Sequence, residues 1–145
     1  MPYLSVRENL TISDTLAGRR PDRARARQIL AGLGLEARAD AVTATLSGGE
    51  QQRAALGRVL YQRPPVVFAD EPTGALDERS GAVVIELLAR AARAGTSVLM
   101  VTHDPAVAAA AQEVLVLRDG VIEERLSRPT AARISHLTAR GGERA

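Results

Sequence analysis

Residues 66–77, VVFADEPTGALD, decide the fold class of this 145-residue chain. Residues 66–69 form a short, continuously apolar run that closes at Asp70, and such a run predicts a strand buried on both faces of a sheet. A second run of this kind, residues 97–101, occurs later in the chain. Because helix-like sequence separates the two runs, the sequence predicts an α/β fold with a largely parallel sheet.

The helices around these strands have clear expected starts. Asp77 can cap a helix that ends before Gly95, and Ser47 can cap one that ends before Arg63-Pro64-Pro65. Further elements are predicted as a helix from Asp22 to about Leu33, a loop over 37–46, a helix opened by Asp104-Pro105, and a hairpin over 114–122 turning at Asp119-Gly120.

Composition excludes several functional classes. The chain has no cysteine, 2% aromatic residues and 19 basic residues, all arginine, against 17 acidic ones. Without cysteine there is no disulfide or thiolate metal site, and without lysine no phosphate-binding lysine. Few aromatic residues and a net charge of +2 give no support to nucleic-acid binding. The sequence carries no membrane-length apolar run and no signal peptide, so we expect a soluble, cytosolic chain.

Ser47, Gly48, Gly49 and Glu50 place a hydroxyl and two glycines at a helix start. Free N–H groups and the helix dipole make such a start attractive to phosphate, and glycine lets a ligand approach the backbone closely. The alternative is an ordinary serine cap with a flexible glycine pair after it.

Polar residues come directly after both predicted strands. Asp70 could hold Mg²⁺ through water, and Glu71 could act as the general base for an attacking water. His103 comes after the second strand, where it could donate a hydrogen bond to a terminal phosphate. The alternatives are two solvated acids and a structural histidine, and His136 is interpreted as a surface residue.

The order and spacing of three segments carry a family resemblance. LSGGEQQR (46–53), VVFADEPTGALD (66–77) and VLMVTHD (98–104) together resemble the ATP-binding cassette (ABC) ATPase family, over roughly residues 4–124. The resemblance implies a P-loop NTPase-like fold with a mainly parallel sheet, flanking helices and a helical signature region. ADEPTGALD looks most like the lipoprotein-release, macrolide-exporter and peptide-exporter branch.

The resemblance also implies roles for individual residues. Ser47 to Glu50 match the signature motif, residues 66–70 match Walker B, Glu71 the catalytic glutamate, 74–77 the D-loop and His103 the switch histidine. Glu71 would activate water, Asp70 would hold Mg²⁺ and His103 would bind the γ-phosphate. In a head-to-tail pair of domains, Ser47 and Gly49 would touch ATP held by the opposing subunit, and Asp77 would couple the two sites.

The implied function is that of the ATP-binding subunit of a transporter, which couples ATP hydrolysis to transport across a membrane. Its expected partners are a second nucleotide-binding domain and a transmembrane permease, contacted through the helical region around 22–60. No nucleic-acid partner is expected. The expected location is the inner face of the cell membrane.

The family's phosphate cradle, G-x-x-x-x-G-K-[S/T], does not occur in this sequence, and its Q-loop glutamine and base-stacking aromatic residue have no counterparts. We therefore expect a partial nucleotide-binding domain over 1–125, with a helical region about 8–62, a catalytic-core part about 63–125 and a polar, Arg-rich and partly disordered tail over 126–145. A chain that lacks the P-loop strand and helix is expected to be inactive alone. The two strands are also expected to lack the shared neighbour that the resemblance implies, which leaves their backbone groups unpaired or forces them into a different pairing. Because buried unpaired groups are costly, the chain is expected to be marginally stable, aggregation-prone or dependent on a partner.

Two alternatives remain at this point. The chain could be a truncated product that supplies LSGGE to a complete partner, or an inert relic. The chromosome-maintenance and DNA-repair ATPases carry a similar motif, but they join it to long coiled coils, and this sequence has no heptad run.

Overall fold

The structure is a computed structural model that describes residues 1–74 and 76–139. The elements in chain order are α1 (Val6–Leu16), α2 (Arg23–Gly32), α3 (Gly48–Gln62), β1 (Val66–Asp70), α4 (Glu78–Arg93), β2 (Ser97–Val101), α5 (Pro105–Ala108), β3 (Glu113–Arg118), β4 (Val121–Ser127) and α6 (Ala131–Ala139), with short 3₁₀ turns at Glu36–Arg38 and Thr43–Thr45.

The chain divides into two compact units, which are described separately. The first comprises residues 1–68 and 72–99 and contains the helices α1 to α4 with the beginnings of β1 and β2. The second comprises 69–71 and the described residues from 100 onward, with the ends of these strands, α5, the β3–β4 hairpin and α6.

The predicted helix caps are confirmed. Each of four side chains accepts a backbone N–H from the first turn of its helix, which stabilises an otherwise unpaired donor. The pairs are Asp22 with Arg25, Ser47 with Glu50, Asp77 with Ser80, and Asp104 with Ala106.

The core of the first unit lies between α1, α2 and α3. Leu10 and Leu33 are fully buried there. Gly57 of α3 lies against both, since a Cβ at this position would fall 2.7 Å from Leu10 Cδ1 and 2.6 Å from Leu33 Cδ1. A side chain at position 57 would force these leucines to move, so glycine sets how closely α3 approaches its neighbours.

A buried tyrosine fixes the ends of the same helices. The Tyr61 hydroxyl donates to Asp14 at 2.5 Å and accepts the Asp22 N–H at 2.8 Å. Arg25 donates to the Tyr61 carbonyl at 2.9 Å and to the Leu60 carbonyl at 2.7 Å. The last carbonyls of α3, which lack partners within the helix, are thus satisfied by α2.

β1 and β2 form a parallel pair. The Ser97 N–H donates to the Pro65 carbonyl at 2.8 Å, and farther along the strands the Glu71 N–H donates to the Val101 carbonyl at 2.9 Å. The two strands are therefore direct neighbours. Of the two expected outcomes, the one with unpaired backbone groups is wrong, and a direct pairing of the two strands is what the structure shows. Their facing backbone groups pair with each other.

The α/β class with a short parallel sheet is confirmed, but the predicted burial of these strands on both faces is wrong. Val67 is 6% exposed, whereas Phe68 is 77% and Leu99 is 55% exposed. Successive strand residues point to opposite faces. One face of this parallel pair is therefore open in the described part of the chain.

The hairpin of the second unit confirms the sequence prediction. β3 and β4 pair antiparallel, and Asp119 (φ 49°) and Gly120 (φ 77°) form the two-residue turn. Positive φ at both central positions is the geometry that a tight hairpin turn requires.

The polar tail expected from residue 126 is more regular than predicted. β4 continues to Ser127 and α6 comes after it, where Ile134 is buried. Arg133 pairs with Glu124 at 3.0 Å, which ties α6 to the hairpin. Residues 127–139 thus include the end of β4 and a helix, and residues 140–145 of the predicted tail lie outside the described residues. No helix within the described ranges is long and apolar enough to cross a membrane.

Candidate functional site

The sequence Ser47-Gly48-Gly49-Glu50, which we call the signature start, begins α3 with a capping box. The Ser47 hydroxyl accepts the Glu50 N–H at 3.3 Å, and Glu50 Oε2 accepts the Ser47 N–H at 2.8 Å. A serine with a glutamate three residues later favours this reciprocal arrangement. The local sequence therefore explains why the helix begins here.

The two glycines leave this start open. No acceptor for the N–H of Gly48 or Gly49 is found among the residues that the structure describes, and Ser47 and Gly48 are exposed. A Cβ at Gly48 would have no heavy atom within 4 Å. Backbone donors at a helix N-terminus, reinforced by the helix dipole, form a place where an anion can bind.

The Glu50 side chain forms the second half of the capping box at the start of α3. Its hydrogen bond from the Ser47 backbone lowers the pKa of the Glu50 carboxyl group, and Arg38 adds to this effect. Arg38 Nε lies 3.3 Å from Glu50 Oε1. Sequence reasoning missed Arg38, because twelve residues separate it from Glu50 and no local pattern joins them.

Asp77 lies at the start of α4 in the same unit. Its carboxylate accepts the Ser80 N–H at 2.9 Å, and this bond is the first cause that lowers the Asp77 pKa. Arg53, which the sequence analysis did not single out, reaches the Ser80 hydroxyl with Nη1 at 2.6 Å. The signal that could have found Arg53 is its place at the end of LSGGEQQR.

Glu71 and His103 come together in the second unit. Glu71 Oε1 lies 2.7 Å from His103 Nδ1 and accepts the His103 backbone N–H at 2.9 Å. Thr102 donates its hydroxyl to Glu71 Oε2 at 3.2 Å. The parallel pairing of β1 and β2 accounts for this meeting, because both residues lie just beyond the carboxyl end of a strand. Sequence reasoning missed Thr102, although it directly precedes His103.

The Glu71–His103 pair has an unusual backbone conformation at Glu71 and a shifted pKa at both side chains. Glu71 has φ 42°, an unusual conformation for a residue other than glycine. The hydrogen bond with His103 is the main cause that lowers the Glu71 pKa, and the same bond raises the His103 pKa. Glu71 is therefore ionised, as a general base must be, while His103 holds its proton more firmly than a free imidazole.

Asp70 is the last residue of β1 and is exposed. Among the described residues no three side chains of His, Cys, Asp or Glu are grouped as a metal site. A single exposed carboxylate at a strand end nevertheless fits Mg²⁺, which commonly binds one or two carboxylates and takes waters and phosphate oxygens as its other ligands. The role of Asp70 stays a prediction.

The fold and these motifs define an α/β protein of the P-loop NTPase class, and comparison with known proteins gives the family. The family model described as ABC transporter matches residues 1–74. The chain belongs to the ABC transporter family.

Several relatives are named as exporters. The chain is 47% identical over 136 residues to the macrolide export ATP-binding/permease protein MacB of Rhodopseudomonas palustris, covering 92% of this chain and 21% of the relative. It is 44% identical over 124 residues to MacB of Shigella flexneri, covering 84% and 19%. It is 45% identical over 136 residues to a probable export ATP-binding/permease protein of Pseudomonas fluorescens, covering 91% and 21%. The chain thus spans about a fifth of the length of these relatives.

Two solved structures have a similar fold. A dimeric, post-hydrolysis state of the ATP-binding cassette MJ0796 bound to ADP and Pi matches with a TM-score of 0.74 and 34% identity, over 89% of this chain and 59% of that one. Another dimeric structure of MJ0796, described as a bacterial ABC transporter cassette, matches with a TM-score of 0.72 and 33% identity over the same shares.

Proposed function

We propose that this chain is part of the ATP-binding cassette of an export transporter, in which ATP hydrolysis drives transport across a membrane. The observation that carries the proposal is the open signature start. Ser47 is exposed, and the N–H groups of Gly48 and Gly49 have no acceptor among the described residues, which supports their contact with the phosphates of ATP. The similarity to a cassette structure with bound ADP and Pi supports the same ligand class.

In the proposed site, the signature start acts on ATP held by a second cassette. The 145 residues contain no lysine and no G-x-x-x-x-G-K-[S/T] sequence. In the proposed site, the phosphate cradle that faces Ser47 is therefore supplied by residues other than these 145. The dimeric state of the similar MJ0796 structures supports a paired arrangement. Asp77, at the start of α4, is proposed to couple the two ATP sites.

Glu71 and His103 are the proposed catalytic pair. Glu71 removes a proton from the attacking water at Oε2, which accepts one donor, the Thr102 hydroxyl, whereas Oε1 accepts both donors of His103. His103 donates a hydrogen bond to the γ-phosphate through its other ring nitrogen. Asp70 would hold Mg²⁺ through water, and such an ion would supply positive charge next to the phosphate oxygens.

The second proposed partner is a membrane permease. The similar exporters are named ATP-binding/permease proteins, which supports a permease that acts together with this cassette. The proposed location depends on this partner: the inner face of the cell membrane, with the helical region around 22–60, which contains α2 and α3, towards the permease.

The proposal is tested by adding the 145-residue chain to the complete ATP-binding domain of the Rhodopseudomonas palustris relative and measuring their association by sedimentation velocity, with and without Mg-ATP. We expect association only with Mg-ATP. In Gly48→Asp, a carboxylate replaces the open space beside the two N–H groups and repels phosphate, so we expect association at least tenfold weaker.

Gly48→Asn is the matched control, because it has nearly the same size without the charge. An acidic residue in the first turn of a helix is stabilising, so Gly48→Asp should unfold no earlier than Gly48→Asn. Loss of association therefore reports on the anion site rather than on folding. Equal association of the wild-type chain with and without Mg-ATP, or of the Asp and Asn variants, would refute the proposal.

A further inference from the structure

Arg53 connects the helix that carries the signature start to the helix that Asp77 caps. It lies in the second turn of α3, and its Nη1 donates to the Ser80 hydroxyl at 2.6 Å. Ser80 is also the residue whose backbone N–H donates to the Asp77 carboxylate at 2.9 Å. Ser80 therefore takes part in both contacts: its hydroxyl accepts a hydrogen bond from Arg53, and its backbone N–H donates one to the Asp77 carboxylate.

The surroundings of Arg53 show that this contact is constrained. The side chain is half-buried, and its Nε is buried with no hydrogen-bond partner among the described residues. A buried donor without a partner is costly, and a surface arginine could hydrate all its N–H groups by turning outward. The hydrogen bond to Ser80 compensates for holding the guanidinium in this position.

Two further contacts join the same parts of the first unit. The Gln52 side-chain amide donates to the Pro72 carbonyl at 2.7 Å. A Cβ on Gly49 would lie 3.2 Å from Leu76 Cδ2, so the signature start itself is in close contact with the segment before Asp77. The first turns of α3 thus meet residues 72 and 80 through two hydrogen bonds, and Leu76 lies so near position 49 that a side chain there would crowd it.

We propose that Arg53 is a positioning residue that holds the signature start and the Asp77 cap as one rigid body through its hydrogen bond to Ser80. The importance of this position rests on the proposed function, in which the signature start and Asp77 both act at the interface of two cassettes. A shift of either one changes the placement of the other. Arg53 itself needs no contact with nucleotide for this role.

The proposal is tested first without any ligand. We expect Arg53→Gln in the 145-residue chain to speed amide hydrogen exchange at Ser80, measured by NMR, by about threefold to tenfold, as loss of one typical hydrogen bond implies. Arg53→Lys should restore most of the protection, because an ammonium group can also donate to the Ser80 hydroxyl. Arg58→Gln, which removes the same charge from another half-buried position of α3, should leave the exchange rate unchanged.

A double-mutant cycle separates this role from a general effect on folding. Ser80→Ala removes the acceptor of Arg53 but keeps the backbone N–H that caps Asp77. Arg53→Gln and Ser80→Ala should therefore reduce the protection of the position-80 amide against hydrogen exchange to a similar extent. The double variant should show no less protection than either single variant. Additive effects, or full protection in both single variants, would overturn the proposal. If Arg53→Gln proves too unstable to interpret, full protection at position 80 in Ser80→Ala alone would overturn it.

The second readout is the Mg-ATP-dependent association with the complete domain of the Rhodopseudomonas palustris relative. We expect Arg53→Gln to weaken it about tenfold and Arg53→Lys to recover it. If the wild-type chain fails to associate, the proposed function is refuted, while the exchange experiment still decides the role of Arg53. If the wild type associates and Arg53→Gln equals it in both readouts, the positioning role is wrong.

Discussion

The starts of α1 and α3 are built from the same local device. Ser5 with Glu8 and Ser47 with Glu50 each form a capping box, and the two serines have nearly the same backbone conformation, φ −62° and ψ 161° against φ −61° and ψ 159°. By local structure alone the two helix starts are equivalent, and either could be a phosphate site.

The two helix starts differ in the pair of residues directly after each serine. After Ser5, the Val6 N–H donates to the Ala41 carbonyl at 3.0 Å and the Arg7 N–H to the Ala39 carbonyl at 2.9 Å, and Val6 is fully buried. After Ser47, two glycines leave their N–H groups without an acceptor among the described residues. A capping box therefore predicts where a helix begins, and only the tertiary contacts of the next two residues decide whether its start can receive a ligand.

The largest expected effect comes from Gly57, where α3 packs against α1. In Gly57→Ala the new methyl group would meet Leu10 and Leu33 at less than 3 Å, so we expect a loss of about 1–3 kcal/mol in the free energy of unfolding. Urea denaturation measures this loss. Gly48→Ala, whose methyl group has no neighbour within 4 Å, is the control and should be neutral or slightly stabilising.

A Gly57→Ala chain as stable as the wild type would mean that the leucines can move aside. The packing of α1 on α3 would then not fix both helix starts in one unit. The comparison of the helix starts at Ser5 and Ser47 would then describe two separate helices rather than one packed pair.

The next effect separates the two serines. Ser5→Ala and Ser47→Ala should each lower the free energy of unfolding by about 1 kcal/mol, because each removes the same cap. Under the proposed function, only Ser47→Ala should also weaken Mg-ATP-dependent association, by about tenfold. Urea denaturation and sedimentation velocity give the two quantities on the same samples, and equal weakening by both variants would contradict the distinction between an open and a closed start.

The parts of the molecule that sequence could predict are those that local chemistry determines. The caps at Ser47 and Asp77 and the turn at Asp119-Gly120 depend on residues a few positions apart. Sequence analysis also placed Glu71 and His103 directly after two strands, but it did not predict that the two side chains meet.

The parts that sequence could not predict depend on distant contacts. Arg53 reaches Ser80 across 27 residues, and Arg38 reaches Glu50 across 12, with no pattern that joins them. The burial of β1 was predicted wrongly because an apolar run shows only that a strand can be covered, whereas the exposure of Phe68 depends on which elements lie over it.

The smallest expected effect is the pH dependence of the two capping boxes. The serine backbone N–H lowers the pKa of both Glu8 and Glu50 from the ordinary value of 4.5. A carboxyl group with a lowered pKa stabilises the folded chain above that ordinary value, and this stability is lost as the pH falls through the lower folded value. The urea midpoint should therefore fall on acidification below about pH 4.5, and Glu8→Gln and Glu50→Gln should each flatten the curve.

The two glutamates should differ in their response to salt. Glu50 also lies 3.3 Å from Arg38, with its side chain 18% exposed, and a charge pair of this kind is weakened by added salt. Each substitution removes part of the acid-induced loss of stability. At low salt, the part that Glu50→Gln removes should therefore be larger than the part that Glu8→Gln removes. It should also decrease more when salt is added. Arg38→Gln is the control, since it should make the two glutamates respond alike. A salt response that is equal in the wild-type background would show that Arg38 adds nothing to the start of α3, and that the two helix starts differ only in their open or closed N–H groups.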